Sequence, residues 1–411
     1  RFFTTGGDVM FQRRRYFDKI APFIGKPVIK LITGIRRCGK SSFLKLLIEH
    51  LENTGTAAKN ILYISMELME FSFITDHKIL YDYIAKKLAR GKQKKYLFID
   101  EVQEIPGWEK AVNSILAEDM ADIYLTGSNC RLFASEFATL LTGRYIELAM
   151  FPLSFEEFLA FRQAQKPATV EDEFARYLKY GGLPGIHHLD LTDEVVFQYI
   201  DSIFNTILLK DVVSRYNIRD VFLLEKIAAF LFDNCGNLTS ANKIADFLKS
   251  QKIKASVDTV HNYISYLVEA FLVYACGRYD LKGKRHLELS DKYYVADPGV
   301  RHATLGFRQN DIAGILENIV YIELLRRGYR VTTGRYDALE VDFVARRNDE
   351  TLYVQVAYLL ASEATEKREF RALEQIDDNF PKLVLSMDRV WGKGRNGIRR
   401  LYLPDFLLES Q

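Results

Sequence analysis

The stretch that decides the fold is Gly34–Ser41, which reads GIRRCGKS and matches the pattern G-x-x-x-x-G-K-S. The run before it, VIKLI at Val28–Ile32, is rich in apolar and β-branched residues and predicts a short strand. The residues after it, SFLKLLIEHL at Ser42–Leu51, have apolar side chains at helical spacing. Because this pattern binds phosphate when it joins a strand to a helix, the sequence predicts a P-loop here.

Each residue type in the loop has a chemical reason. Glycines permit the tight turn that directs backbone N–H groups at phosphate oxygens, and the start of the helix adds partial positive charge. We expect Lys40 to contact the β- and γ-phosphates and the Ser41 hydroxyl to ligate Mg²⁺. The sequence therefore predicts ATP with Mg²⁺, bound by Gly34, Ile35, Arg36, Arg37, Cys38, Gly39, Lys40, Ser41 and Ser42.

A pair of carboxylates ends another apolar strand. The run YLFI at Tyr96–Ile99 predicts the strand, and Asp100 and Glu101 follow it directly, which is the Walker B arrangement. We expect Asp100 to hold Mg²⁺ through a water molecule, and Glu101 to orient and deprotonate the attacking water. The sequence therefore predicts hydrolysis of ATP to ADP and phosphate as well as binding.

Polar residues after a further strand are candidates for positioning the attacking water. The run DIYLT at Asp122–Thr126 predicts this strand, and Gly127, Ser128 and Asn129 follow it. Either Ser128 or Asn129 is expected to hold the water, and the sequence does not choose between them. The competing interpretation is a Gly-Ser-Asn turn with no catalytic part.

Arg144 is a candidate arginine finger that would contact the γ-phosphate in its own chain or in a neighbouring subunit. Arg36, Arg37 and Arg131 are alternatives for the same role. A structural ion pair is an equally good interpretation of Arg144, because a single arginine carries no pattern that marks it as catalytic.

Composition limits the class of protein. The formal net charge of +2 over 411 residues gives no general basic surface for nucleic acid, although a local patch stays open. The four cysteines form no CxxC pair, which argues against a zinc site or a disulfide framework and favours a reducing compartment. No apolar run approaches the ~20 residues of a membrane helix, and no signal-peptide pattern is present. We expect a soluble, cytoplasmic protein without membrane attachment.

The stretches GIRRCGKSSFLKLL, YLFIDEVQEIPGWEKAVNSIL and IYLTGSNCRLFASEFATLLTGRYIELAMFPLSFEEFL resemble one protein family. They are similar to the prokaryotic AAA+-type P-loop ATPases that carry a C-terminal domain of unknown function. The resemblance covers nearly the whole chain and is most specific in Gly34–Ser41, Asp100–Trp108 and Gly127–Phe158. It implies an α/β protein with a parallel ATPase sheet, a helical middle with a winged helix, and a C-terminal domain similar to restriction endonucleases.

We therefore expect four segments: an ATPase core at 1–150, a helical lid at 151–218, a winged-helix domain at 219–300 and an endonuclease-like domain at 301–411. In the third segment, Ser240 and Ser256 are expected to cap two helices, and two strands at Leu272–Cys276 and Leu287–Ala296 are expected to form the wing. The helix-turn-helix spacing makes DNA a candidate partner. The last of these helices carries no Lys or Arg, however, so packing or protein recognition is favoured over DNA binding.

In the last segment, candidate site residues follow one another along a helix and two strands in the order of a metal-dependent nuclease site, with one residue changed. Glu317 lies in a predicted helix, Asp342 in a strand, and Gln355 in the next strand. In active members of the endonuclease-like fold a lysine stands two residues after the last of these, and here that position is Ala357. Glu317, Asp342 and Gln355 are therefore expected to form a degenerate site, and Lys367 lies too far along the chain to replace the lysine without a special geometry.

The favoured function is an ATP-dependent switch or motor that acts on an unknown partner, for which a protein is the leading candidate. One alternative is a DNA-acting ATPase with a working C-terminal nuclease. Another is a scaffold gated by the nucleotide without significant turnover. A homo-oligomer fits the arginine-finger hypothesis, but the sequence does not distinguish a monomer from a ring.

Overall fold

The computed structural model describes residues 2–5, 8–11, 13–88, 93–129, 143–163, 168–360, 362–389 and 394–409. The chain separates into two compact units, residues 1–150 and residues 151–411. Across these described residues, no helix combines the length and the apolar character needed to cross a membrane.

The first unit is built on a parallel sheet. After an antiparallel hairpin of β1 (Phe2–Thr5) and β2 (Asp8–Phe11), its strands are β3 (Ile29–Thr33), β4 (Ile61–Ser65), β5 (Tyr96–Asp100), β6 (Asp122–Gly127) and β7 (Tyr145–Ala149). Within the described residues, these five later strands pair in the order β4-β5-β6-β3-β7, and each neighbouring pair is parallel. The carboxyl ends of β3, β5 and β6 therefore meet at one edge, where open α/β sheets bind ligands.

Helices of the first unit are α1 (Arg14–Ile20), α2 (Lys40–Asn53), α3 (His77–Lys87) and α4 (Trp108–Ala117). The helix predicted at Ser42–Leu51 is present as α2, but it begins at Lys40, directly after the glycine-rich loop. Asp76 caps α3 by accepting hydrogen bonds from the backbone N–H of Lys78 and Ile79 at 2.7 and 3.1 Å. Buried residues of α3 and α4, among them Leu80 and Val112, join the strands in one apolar core.

The second unit begins with helices. They are α5 (Phe155–Gln163), α6 (Val170–Tyr180), α7 (Asp193–Thr206), α8 (Val221–Asp233), α9 (Ala241–Ser250), α10 (Val257–Glu269), α11 (Pro298–Leu305), α12 (Ile312–Arg326), α13 (Glu363–Glu374) and α14 (Leu403–Leu408). The caps predicted at Ser240 and Ser256 are confirmed, because each hydroxyl accepts from the backbone N–H three residues later, at 3.3 and 3.1 Å. Helix α7 continues directly into a π-helix at Ile207–Ser214.

A mixed sheet forms the rest of the second unit. Its strands are β8 (Leu238–Thr239), β9 (Val273–Asp280), β10 (Arg285–Val295), β11 (Arg330–Tyr336), β12 (Leu339–Arg347), β13 (Glu350–Val356), β14 (Lys382–Ser386) and β15 (Arg399–Tyr402). Among the described residues their order is β15-β14-β13-β12-β11-β9-β10-β8. The two predicted wing strands are present as the antiparallel pair β9 and β10, which is longer than predicted and changes register between Leu287 and Lys292.

The parallel pairing of β9 with β11 links segments on both sides of residue 300. Thr333, Gly334 and Arg335 of β11 lie opposite Arg278, Tyr279 and Asp280 of β9. One hydrogen-bonded sheet therefore contains both the strands expected to form a wing and the strands expected to form an endonuclease-like domain. The division of residues 151–411 into three segments stays a prediction.

Candidate nucleotide site

The P-loop follows β3, and its backbone depends on glycine at two positions. Gly34 has φ +145°, and a Cβ there would lie 2.0 Å from the carbonyl oxygen of Met150. Gly39 has φ +106° and directly precedes α2. A side chain at either position would strain the loop, and at Gly34 it would also collide with the neighbouring backbone. The structure therefore contains the tight strand-to-helix turn that phosphate binding requires.

Lys40 is the first residue of α2, and its side chain is only 3% exposed. The ammonium donates to the carbonyl oxygens of Gly34 and Ile35 at 2.9 and 3.2 Å. It also lies 3.8 Å from Glu101 Oε1. The cation is therefore held between the loop backbone and the acidic end of β5, and it must leave these partners to contact a phosphate.

The other residues of the loop differ in exposure. Ile35 and Cys38 are buried, and burial raises the pKa of the Cys38 thiol, so this cysteine packs in the core and is not an activated nucleophile. Arg36 is buried and pairs with Glu67 at 3.2 Å. The side chains of Arg37 and Ser42 are exposed, and Ser41 is half-buried in the first turn of α2.

Asp100 is buried at the end of β5. Its Oδ2 accepts a hydrogen bond from the Tyr63 hydroxyl at 3.1 Å, and its Oδ1 accepts one from the Thr126 hydroxyl. These donors come from β4 and β6, the strands on either side of β5. The carboxylate is therefore fixed in orientation from both sides, which suits a residue that must hold a metal-bound water in one place.

Glu101 follows Asp100 in the left-handed conformation, with φ 57°. Its Oε2 accepts from the Gln103 amide and, at 3.1 Å, from the Ser128 hydroxyl. Burial by itself would raise the pKa of Glu101, but the Lys40 ammonium and the Gln103 amide outweigh it and lower that pKa. The side chain is therefore an ionised, buried carboxylate with a fixed direction.

The two candidates for the water-holding role lie at the end of β6 and are both buried. The Ser128 hydroxyl donates to Glu101 Oε2 at 3.1 Å. Arg144 is exposed and donates to Asn113 Oδ1 at 3.0 Å, on the surface of its own unit. Arg131, an alternative finger, lies outside the described residues.

Sequence reasoning missed Tyr63, Gln103 and Thr126. Thr126 ends the predicted strand DIYLT and gives a weak signal, since a hydroxyl in an otherwise apolar buried strand needs a partner. Gln103 follows Glu101 by two residues, but only the turn at Glu101 brings the two side chains together. Tyr63 lies in β4, and nothing in the sequence marks it.

Comparison with known proteins agrees with this geometry. A family model described as an AAA domain matches residues 26–159, and one described as a domain of unknown function matches residues 171–311. An uncharacterized protein of Haemophilus influenzae is 37% identical over 402 residues, which cover 97% of this chain and 99% of its own length. An uncharacterized protein of Methanocaldococcus jannaschii is 32% identical over 367 residues, with coverage of 84% and 78%.

The chain belongs to the same family as these two relatives, and it contains an AAA domain. Among solved structures, a Walker-type ATPase of Pyrococcus abyssi covers 72% of the AAA-domain chain and 96% of its own, with a TM-score of 0.51 and 15% identity. At that identity the likeness shows the fold alone. The expectation of a P-loop ATPase fold of AAA+ type is confirmed, and this fold implies a nucleotide-binding site at the P-loop.

The AAA-domain protein has a second ionisable cluster, in the eight-stranded sheet of its second unit. Glu317 on α12 and Asp342 on β12 both contact Lys292 of β10, at 2.9 and 3.8 Å. Glu340, two residues before Asp342 on the same strand, lies 2.8 Å from the same ammonium. The structure therefore brings Glu317 and Asp342 together as predicted from the order of elements, but around Lys292, which was not among the predicted site residues.

Gln355 lies beside this cluster, and both ends of its side-chain amide are hydrogen-bonded. Its Oε1 accepts from the Asp342 backbone N–H at 3.3 Å, and its amide donates to Glu369 at 3.1 Å. Lys367 bonds to Glu363 on its own helix at 2.7 Å and is exposed, so it does not replace the missing lysine. In the part of the chain that the structure describes, no group of three or more His, Cys, Asp or Glu side chains has the spacing to hold a metal ion.

Charges in the cluster influence one another strongly. Burial would lower the pKa of Lys292, but the carboxylates of Glu317, Asp342 and Glu340 outweigh it and raise that pKa. Burial and the neighbouring Glu317 carboxylate raise the pKa of Asp342 well above its usual range. The lysine is therefore held as a cation, and its charge offsets that of the surrounding carboxyl groups, of which Asp342 is buried, Glu317 half-buried and Glu340 exposed.

Proposed function

We propose that this protein is a Mg²⁺-dependent ATPase that acts as a switch or motor on a partner. The observation that supports hydrolysis is the fixed carboxylate of Glu101. It is buried, ionised and held by Gln103 and Ser128 beside the Lys40 ammonium, at the sheet edge where the P-loop ends. An oriented, ionised carboxylate beside the phosphate-binding lysine suits a general base for the attacking water.

The residues at this edge fit Mg²⁺ bound together with a nucleotide. The Ser41 hydroxyl in the first turn of α2 and the Asp100 carboxylate at the end of β5 are hard oxygen ligands, which Mg²⁺ prefers. Tyr63 and Thr126 orient Asp100 by hydrogen bonds. When bound, the ion neutralises charge on the phosphate oxygens. We assign Ser41 and Asp100 to hold it.

The remaining roles follow from position and charge. Lys40 stabilises the negative charge that develops on the transferred phosphoryl group, and Glu101 takes the proton of the attacking water. Ser128, with Asn129 beside it, holds that water or the base that activates it. Arg144 is exposed and donates to Asn113 Oδ1 at 3.0 Å, and its exposure suits a finger offered to the nucleotide of a neighbouring subunit.

For the second unit we propose a winged helix at 219–300 and an endonuclease-like arrangement at 301–411, following a helical lid at 151–218. The succession α8, β8, α9 and α10, then the hairpin of β9 and β10 to which β8 adds, supports the winged helix. The exposed face of α10 carries Asp258, His261 and Asn262 and no cation, so a protein is favoured over DNA as the partner. A cytoplasmic homo-oligomer is part of the same proposal.

Steady-state release of phosphate from Mg-ATP, with and without duplex DNA, tests the proposed activity. Lys40→Ala and Glu101→Gln should each lower kcat by at least about a hundredfold, because they remove charge stabilisation and the base. Lys45→Ala is the matched control, since Lys45 lies exposed on the same helix and should leave kcat unchanged.

Turnover that Lys40→Ala and Glu101→Gln abolish, and Lys45→Ala spares, would establish both residues in the reaction. Stimulation by DNA would make nucleic acid the leading partner instead of protein. Tight nucleotide binding without turnover under all conditions would instead identify a nucleotide-gated scaffold.

A further inference from the structure

Lys292 lies at the centre of the acidic cluster in the second unit. Its side chain is 4% exposed, and its ammonium lies 2.9 Å from Glu317 Oε1 and 2.8 Å from Glu340 Oε1. Asp342 Oδ1 lies 3.8 Å from the same nitrogen. An ammonium group has three N–H donors, so one lysine can serve carboxylates on three sides.

The backbone places these side chains by simple alternation. Residues two apart on a strand share a face, so Glu340 and Asp342 of β12 point the same way, as do Lys292 and Tyr294 of β10. The Tyr294 hydroxyl also donates to Glu317 Oε1, at 2.5 Å. Glu317 is therefore bound by two donors from β10, and the cluster joins α12, β10 and β12.

The Lys292 ammonium occupies the space among these oxygens, at N–O separations of 2.8 to 3.8 Å. A metal ion among the same oxygens would stand against this buried positive charge, which disfavours its binding. The lysine thus supplies one positive charge among three carboxyl groups.

We propose that Lys292 is the resident cation of the Glu317, Glu340 and Asp342 cluster, and that the wild-type cluster binds no divalent metal ion. The cluster is then an ionic centre that holds helix α12 against the sheet. Its acidic side chains are not spaced for a metal ion around the ammonium, and they can converge on a hard divalent cation only when the ammonium is removed. This proposal does not depend on ATP hydrolysis.

The test measures Mn²⁺ bound to the full chain without nucleotide, by calorimetry and by electron paramagnetic resonance of free Mn²⁺. Wild type and Glu317→Gln should bind the same number of ions, because Glu317 holds a lysine and not a metal. Lys292→Met, which keeps the length of the side chain and removes its charge, should bind one more equivalent. The added site should bind Mn²⁺ with a Kd at least about tenfold below the lower limit that the wild-type titration sets for this cluster. The double variant Lys292→Met with Glu317→Gln should lose the added equivalent.

If Lys292→Met does not fold, as judged by circular dichroism, Lys292→Gln retains an N–H donor without the charge and takes its place. The comparison of Mn²⁺ binding by wild type and by Glu317→Gln tests the proposal without any variant of Lys292. Mn²⁺ binding by wild type that Glu317→Gln removes would overturn the proposal, and so would a folded Lys292 variant that gains no ion.

Cleavage of supercoiled plasmid with Mg²⁺ or Mn²⁺ provides an independent readout. The expected result is no cleavage by wild type that depends on this cluster. Cleavage lost in both Lys292→Met and Glu317→Gln would overturn the proposal. It would show instead that Lys292 supplies the cation of a working metal-dependent nuclease, in place of the lysine absent at Ala357.

Discussion

Replacing Glu101 by glutamine removes a negative charge from a side chain that is buried and lies 3.8 Å from the Lys40 ammonium. The amide is almost the same size, so the packing at the end of β5 should be kept. In the nucleotide-free site, Lys40 must leave Glu101 before it can contact a phosphate. The substitution therefore lowers the cost of binding ATP, and it also removes repulsion between Glu101 and the phosphate charges.

The size of the effect follows from the distance. Two unit charges 3.8 Å apart interact by about 4 kcal/mol at an effective dielectric constant of about 20. Only part of this appears in binding, because Lys40 also bonds to Gly34 and Ile35 and because Gln103 and Ser128 share the carboxylate. We expect about 1–2 kcal/mol, which corresponds to a Kd for ATP about 5- to 30-fold lower than that of wild type.

Binding of a fluorescent ATP analogue, or calorimetry with ATP and Mg²⁺, measures this Kd, because the expected loss of turnover in the variant leaves the nucleotide intact during the titration. Glu104→Gln is the matched control, since it makes the same change of charge on an exposed residue three positions later. An unchanged or weaker affinity in Glu101→Gln, with Glu104→Gln like wild type, would refute the role of the Lys40–Glu101 pair.

Two further predictions concern stability. Burial, aided by the nearby Arg162 guanidinium, lowers the pKa of His187 from 6.5 to about 3, so the folded protein holds the ring neutral while the unfolded chain protonates it below 6.5. In urea unfolding, the free energy of unfolding of wild type should fall by about 2 kcal/mol more than that of His187→Phe between pH 7 and pH 5, and it should be at its full value above pH 7. Equal losses in the two proteins would contradict this prediction. His188→Gln, which changes an exposed neighbour, is the control. Asp122→Ala should lower the free energy of unfolding in urea by about 3–5 kcal/mol, because it leaves the buried Lys30 ammonium without its carboxylate. A loss of less than about 1 kcal/mol would show that the ion pair is not needed for stability.

Local chemistry made much of the nucleotide site predictable. Glycine at positions 34 and 39, with lysine and serine after them, satisfies a backbone turn and a phosphate within eight consecutive residues. Asp100 and Glu101 were predicted because an apolar strand that ends in two carboxylates is informative by itself. In both cases the observed ends of the strands and the helix differ from the predicted ends by only one or two residues.

Contacts between elements were not predictable in the same way. Tyr63 and Thr126 orient Asp100 from the two neighbouring strands, and their separation along the chain gives no hint of this. The register of β4 and β6 against β5 decides which side chains face the carboxylate, and a shift of one residue would turn them to the other face.

The cluster at Lys292 is a second case in which contacts between distant elements could not be predicted from the sequence. The order of helix and strands predicted that Glu317 and Asp342 would meet, and the absence of a lysine two residues after Gln355 suggested that no cation was left. The cation comes from β10, which the sequence analysis assigned to a wing. Only the parallel pairing of β9 with β11 brings that hairpin into the same sheet as β12.

The sequence by itself determined the features that depend on neighbouring residues: the phosphate-binding loop, the acidic strand end and the caps of helices α9 and α10. These depend on backbone conformation and on hydrogen bonds a few residues apart. The tertiary structure alone decided which distant side chains neutralise, orient or replace one another. It did so because charge and hydrogen bonding act over a few ångströms, and only the pairing of strands sets which residues come that close.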